Sequence, residues 1–123
     1  MFAHRSRREP DALLPLKPIE LLILMMLTAG DRHGYGIRSD IIAHTGGAVR
    51  PEAGNLYRSV RRLIDDGLVA DAGRRPAADA DDERRRYYRL SPFGRRVLAA
   101  EIVRLRALVR LAESRRLIAP ESA

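Results

Sequence analysis

The apolar positions divide the chain into helical stretches and one change of period. Ile19-Glu20-Leu21-Leu22-Ile23-Leu24-Met25-Met26-Leu27 is apolar almost all round, the pattern of a central, buried helix. Pro18 fits its first turn, where a missing N–H costs nothing, and Gly30 is a natural stop. Ile37 and Ile41 stand four apart and share one face of a second helix, which Gly46-Gly47 ends. A third helix is expected over about residues 52–66. There Leu56, Val60 and Leu63 fall at i, i+4 and i+7, and Gly67 closes the stretch. At about 100° per residue, Asn55, Arg58 and Arg62 lie on the side opposite that stripe.

The period then shortens. Leu68-Val69-Ala70-Asp71-Ala72 begins a short strand, residues 74–83 read as a polar loop, and Arg84-Arg85-Arg86-Tyr87-Tyr88-Arg89-Leu90 is a second strand. Alternation puts Arg86, Tyr88 and Leu90 on one face and Arg85, Tyr87 and Arg89 on the other. The two strands predict a β-hairpin, with Tyr88 and Leu90 packing toward the body. Ser91-Pro92 reads as an N-cap with proline at the first helical position, opening a long helix over about residues 92–117. Along it Leu98, Ile102, Leu105, Val109 and Ala112 step by four and three, a 3.5-residue repeat, and Leu108 and Leu111 broaden the seam. A helix of roughly 25 residues is about 38 Å long. Three short helices cannot cover that length, so a second copy of the chain is the expected partner.

Helix, helix, helix, hairpin and long helix is the order of a winged helix-turn-helix. The expected fold is mainly α with a small β-hairpin. Residues 1–16 form a tail or short extra helix, 17–90 a winged head with the wing at about 68–90, 91–117 a dimerisation helix and 118–123 a tail. In such heads the second helix of the helix-turn-helix enters the major groove while its partner crosses the backbone. Arginine reads guanine and asparagine reads adenine, which makes Asn55, Arg58 and Arg62 candidate contacts to DNA.

Charge sharpens this picture. There are 23 Lys+Arg against 16 Asp+Glu, a net of +7, and Lys17 is the only lysine. Arginine's planar fork suits phosphates and base edges. Residues 84–116 carry eleven arginines against Glu101 and Glu113, whereas residues 11–83 are slightly acidic, at −3. The basic field therefore belongs to the wing strand and the last helix, and serves approach and backbone grip. The choice of sequence should rest on a few groups of the head.

Composition also excludes chemistry. Without cysteine there is no disulfide, thiolate metal site or thiol nucleophile. His4, His33 and His44 do not have ligand spacing, and His33 reads as structural. No phosphate-cradling glycine motif is present. No cofactor, metal or enzymatic activity is expected. The apolar run at residues 19–27 is too short to span a membrane, and Glu9, Asp11 and Glu20 interrupt a signal-like lead-in, so a cytoplasmic protein without a membrane partner is expected.

At three places the residues resemble the PadR family of bacterial transcriptional regulators. They are His33-Gly34-Tyr35-Gly36-Ile37, Gly54-Asn55-Leu56-Tyr57 followed by Arg62-Leu63 and Asp66-Gly67-Leu68-Val69, and Arg86-Tyr87-Tyr88-Arg89-Leu90-Ser91-Pro92-Phe93-Gly94. The resemblance covers about residues 16–115 with the spacing intact. It implies a homodimer joined through the C-terminal helix, using Leu98, Ile102, Leu105, Leu108, Val109 and Ala112. Each chain would offer a winged head to a pseudo-palindromic operator in double-stranded promoter DNA. It implies a phosphate contact for Tyr35, a DNA-facing helix start at Gly54, Asn55 and Tyr57, and backbone contacts from the wing arginines Arg84, Arg85 and Arg86. The implied function is repression relieved by an effector, whose identity, like the operator, the sequence does not give.

Three departures stand out. Asn55 replaces the usual threonine, Ile64 the usual glutamate, and Glu52-Ala53 occupy the place of the usual Ser or Thr cap. The chain also lacks the tryptophan with which some members hold aromatic drugs. The reading from another class is a protein-interaction module on the same scaffold, favoured by the −3 balance of residues 11–83.

Overall fold

The all-apolar run becomes α1, Pro18–Leu27, and the rest of the chain is built around it. The structure, a computed structural model, describes residues 9–75 and 85–121. Helix α1 packs against α2 (Gly34–His44), α3 (Ala53–Asp65) and the long α4 (Pro92–Ser114). Its Ile23 and Leu24 are fully buried, as are Ile37 and Ile41 of α2. The α3 stripe Leu56, Val60 and Leu63 closes the same core, with Leu68, Tyr88, Val97 and Leu98. Each such side chain taken out of water contributes about 1.5–3 kcal/mol.

The sheet differs from the expected hairpin. Strands β2 (Val69–Arg74) and β3 (Arg86–Leu90) pair antiparallel, as expected, but a further strand, β1 (Arg32–His33), pairs with the other side of β3. Two residues carry no period to read. The strand exists because Arg32 and His33 lie opposite Tyr88 and Tyr87. Between β2 and β3, Tyr88 faces Asp71 and Tyr87 faces Gly73. Ala72 is therefore an extra residue, a bulge that twists the strand. Gly73 takes up a left-handed φ of 80° there, and its N–H is held by Asp71 Oδ1 at 2.8 Å. Arg84 and the acidic segment at 79–83 lie outside the described residues.

One hydroxyl joins the wing to the long helix. Ser91 Oγ accepts from the Gly94 N–H at 2.9 Å, as a cap should, and donates toward the Gly67 and Leu68 carbonyls at 2.7 and 3.0 Å. Helix α4 ends at Ser114, three residues short of the expected 117, and Arg116 turns the chain with φ 60°.

The α4 seam is divided. Leu98 is buried in the chain's own core, and Ile102, partly buried, packs against that core. Leu105 and Ala112 are half-buried, and Leu108, Val109 and Leu111 are exposed. Of the N-terminal segment, Pro10–Leu13 forms a short 3-10 turn against α4, and Leu13, Leu14 and Leu16 pack on the core.

Candidate nucleic-acid interface

Helix α3 opens without a side-chain cap. Glu52 stands at the cap position in extended backbone and makes no capping bond. The first helical bond runs from the Leu56 N–H to the Glu52 carbonyl. The N–H groups of Ala53, Gly54 and Asn55 thus precede the helix's own ladder. The turn ahead of them is fixed from α2, where Arg38 Nε donates to the Pro51 carbonyl at 2.7 Å.

Gly54, Asn55, Tyr57 and Arg58 are all exposed. The direction opposite the centre of the Leu56, Val60 and Leu63 stripe falls between Arg58 and the exposed Asp65, with Gly54 and Arg61 beside them. A Cβ on Gly54 would lie 3.3 Å from Arg58 Nη1, so the glycine leaves room for that guanidinium along the first turn. Arg62 behaves differently. It stands on the flank of the helix, and its Nη1 lies 3.8 Å from Oε2 of the buried Glu20 on α1. Arg61, which is exposed, was not among the candidates.

Tyr35 stands in the first turn of α2, 62% exposed, and Tyr57 is 56% exposed. Both line one apolar groove of about 220 Å³, floored by Leu56, Val60 and Tyr88. His33 caps α2, its Nδ1 accepting from the Gly36 N–H at 2.9 Å, and its ring meets Tyr87 edge-on at 5.3 Å. The Arg85 guanidinium lies 5.1 Å from the Tyr35 ring centroid and 3.4 Å from His33 Nε2. One continuous surface therefore runs from Arg85 over Tyr35 and Tyr57 to the start of α3. Arg86 is not brought to it and instead pairs with Asp71 at 3.5 Å.

A clamp sets the wing against the head. Asp31, just before β1, accepts from Arg89 Nε and Nη2 at 3.1 and 2.7 Å and also pairs with Arg75. The Arg89 hydrogen bonds dominate. Desolvation opposes them, the Arg75 bond adds to them, and the carboxyl is held at about 2. Arg75 in turn stacks on Tyr87 at 4.4 Å. Neither Asp31 nor Arg75 has a sequence pattern that marks it.

Among the described residues, no group of three ligating side chains could hold a metal ion, and no helix is long and apolar enough to cross a membrane. What the surface offers is planar cations, hydroxyls, an amide and free backbone N–H groups. These donors suit phosphate oxygens and base edges.

Known proteins place this arrangement. No curated protein sequence matches the chain. Solved structures do, at identities that speak for the fold. A transcriptional regulator from Clostridium thermocellum is 23% identical with a TM-score of 0.64, over 78% of this chain and 87% of that one. A PadR family transcription regulator from hypervirulent Clostridium difficile is 20% identical with a TM-score of 0.67, over 80% and 97%. Bacillus subtilis PadR in complex with operator DNA is 20% identical with a TM-score of 0.61, over 71% of this chain and 48% of that one. The model of the transcriptional regulator PadR-like family matches residues 23–100, from α1 into α4. The chain belongs to that family of transcriptional regulators.

Proposed function

We propose that the protein is a cytoplasmic, homodimeric repressor that binds a pseudo-palindromic operator in double-stranded promoter DNA and is released by an effector. The observation that carries this reading is the continuous surface of Arg85, Tyr35, Tyr57, Gly54, Asn55, Arg58 and Arg61. It sets exposed donors, with the half-buried Arg85, beside an uncapped helix start. The α3 face reads bases, while Tyr35 and Arg85 hold phosphates. Arg84 and Arg86 add backbone contacts from the wing. The exposed Leu108, Val109 and Leu111, with Leu105 and Ala112, meet their equivalents in a second copy. A relative whose structure holds operator DNA supports the reading. An effector acts by changing the spacing of the two heads.

The interaction-module reading rests on the acidic balance of residues 11–83, and four of those carboxylates, Glu20, Asp31, Asp40 and Asp71, each pair with an arginine. The test is retardation of the DNA upstream of its own gene in a gel. Sequence-selective binding that falls steeply with salt is expected. Equal binding to scrambled DNA at the same salt would refute it.

A further inference from the structure

Two adjacent backbone amides of the segment leading into α1 are held by two buried carboxylates from different helices. The Leu16 N–H donates to Glu101 Oε2 on α4 at 2.9 Å, and the Lys17 N–H donates to Glu20 Oε1 on α1 at 3.3 Å. Glu101 is 1% exposed and Glu20 7%. In this strap, held between Pro15 and Pro18, the N–H groups of Leu16 and Lys17 take side-chain acceptors, and the Lys17 carbonyl starts the α1 ladder by accepting from the Leu21 N–H at 2.9 Å.

Each carboxylate also meets an arginine. Glu101 accepts from Arg104 of its own helix. The second oxygen of Glu20 faces Arg62 of α3 at 3.8 Å. The result is an unbroken series, Arg104, Glu101, Leu16, Lys17, Glu20 and Arg62, that starts on the long helix and ends on the reading helix. The last link is loose. A 3.8 Å separation is long for an ion pair, and the Arg62 side chain is 41% exposed. Its guanidinium can therefore exchange Glu20 for a phosphate.

We propose that Glu101 and Glu20 are positioning residues that couple α4 to α3 through the strap, so that a displacement of α4 resets Arg62 between the body and the DNA. The proposal rests on the reading that α3 meets DNA and α4 joins two copies.

The test uses the full chain and the Nε–H resonances of Arg62 and Arg104. Glu101→Leu removes the acceptor for Leu16 at similar volume and should move the Arg62 resonance. Glu101→Gln keeps an acceptor and should restore it. Because Glu101→Leu alters a buried site, the reverse direction is read as well. Arg62→Ala, at a half-exposed position, should move the Leu16 amide and the Arg104 Nε–H across the strap. On operator DNA, Glu101→Leu should weaken binding about fivefold or more, and that loss should shrink to within about twofold when Arg62 is already alanine. Resonances that stay in place in both directions, or losses that simply multiply, would overturn the coupling. Should Arg58→Ala and Arg61→Ala leave operator affinity unchanged, the DNA reading of α3 fails, and the resonances still decide the coupling.

Discussion

Gly94, in the first turn of α4, lies against the carbonyl oxygen of Leu68 so closely that a Cβ would fall 2.0 Å from it. The same oxygen accepts from the Ser91 N–H at 3.0 Å. The long helix is thus seated on the start of the wing by an absent side chain. Gly94→Ala has to push α4 away from Leu68, and forced overpacking costs about 1–3 kcal/mol or more. For a chain of this size that is a fall in Tm of roughly 10 °C, read by calorimetry. A variant melting with the parent would contradict the contact.

Arg58 stands near the centre of the exposed α3 face, with Arg61 beside it. Each alanine variant is expected to weaken operator binding and to reduce the slope of log K against log salt by about 1, measured by anisotropy across a potassium chloride series. Arg62→Ala should differ by also lowering stability, because it strips Glu20 of its ion-pair partner. If Arg58→Ala and Arg61→Ala both bind like the parent at every salt concentration, the face is misassigned.

The Asp31 clamp has a pH signature. Its carboxyl sits at about 2 against an ordinary 3.8, held there first by Arg89. The folded state therefore takes up this proton less readily than the unfolded chain does. The clamp's contribution is complete well above pH 3.8 and is lost as the pH falls through about 2. Carboxyl-carbon NMR should give a midpoint near the lower value. Arg89→Ala should raise it toward 3.8, and an unmoved midpoint would remove Arg89 as the cause.

Val109 is 47% exposed within one chain. Val109→Asp should leave the head folded and convert a dimer to a monomer in sedimentation, since an unpaired charge does not enter an apolar seam. An unchanged mass would show that the second copy sits elsewhere.

Ser59 is 1% exposed on α3, and its Oγ has no hydrogen-bond partner among the described residues. A buried, unpaired hydroxyl costs about 1–3 kcal/mol. Ser59→Ala should therefore raise the urea midpoint, and a lower midpoint would mean that the hydroxyl has a partner.

The sequence made the helices legible because each carries its own period. Leu56, Val60 and Leu63 turned inward as their spacing requires, and Ser91 caps α4 as its place before Pro92 suggested. The site was only half legible. Arg58 follows from geometry, but Arg62 is drawn to Glu20, whose burial is decided by the packing of α1 against α3. Glu20 reads in sequence only as an interruption of an apolar run. Strand β1 and the Asp31 clamp depend on partners more than forty residues away, which no local pattern encodes.

The small strand β1 has a consequence for life at high concentration. It places β3, the strand that carries Tyr87, Tyr88 and Leu90, in the middle of the sheet. The outer borders are then two residues beginning with Arg32 on one side and a strand kinked at Ala72 on the other. Short, charged or bulged borders are poor templates for an incoming strand. Among the described residues the sheet therefore offers an incoming strand no long, flat edge, although its central strand is rich in β-forming residues.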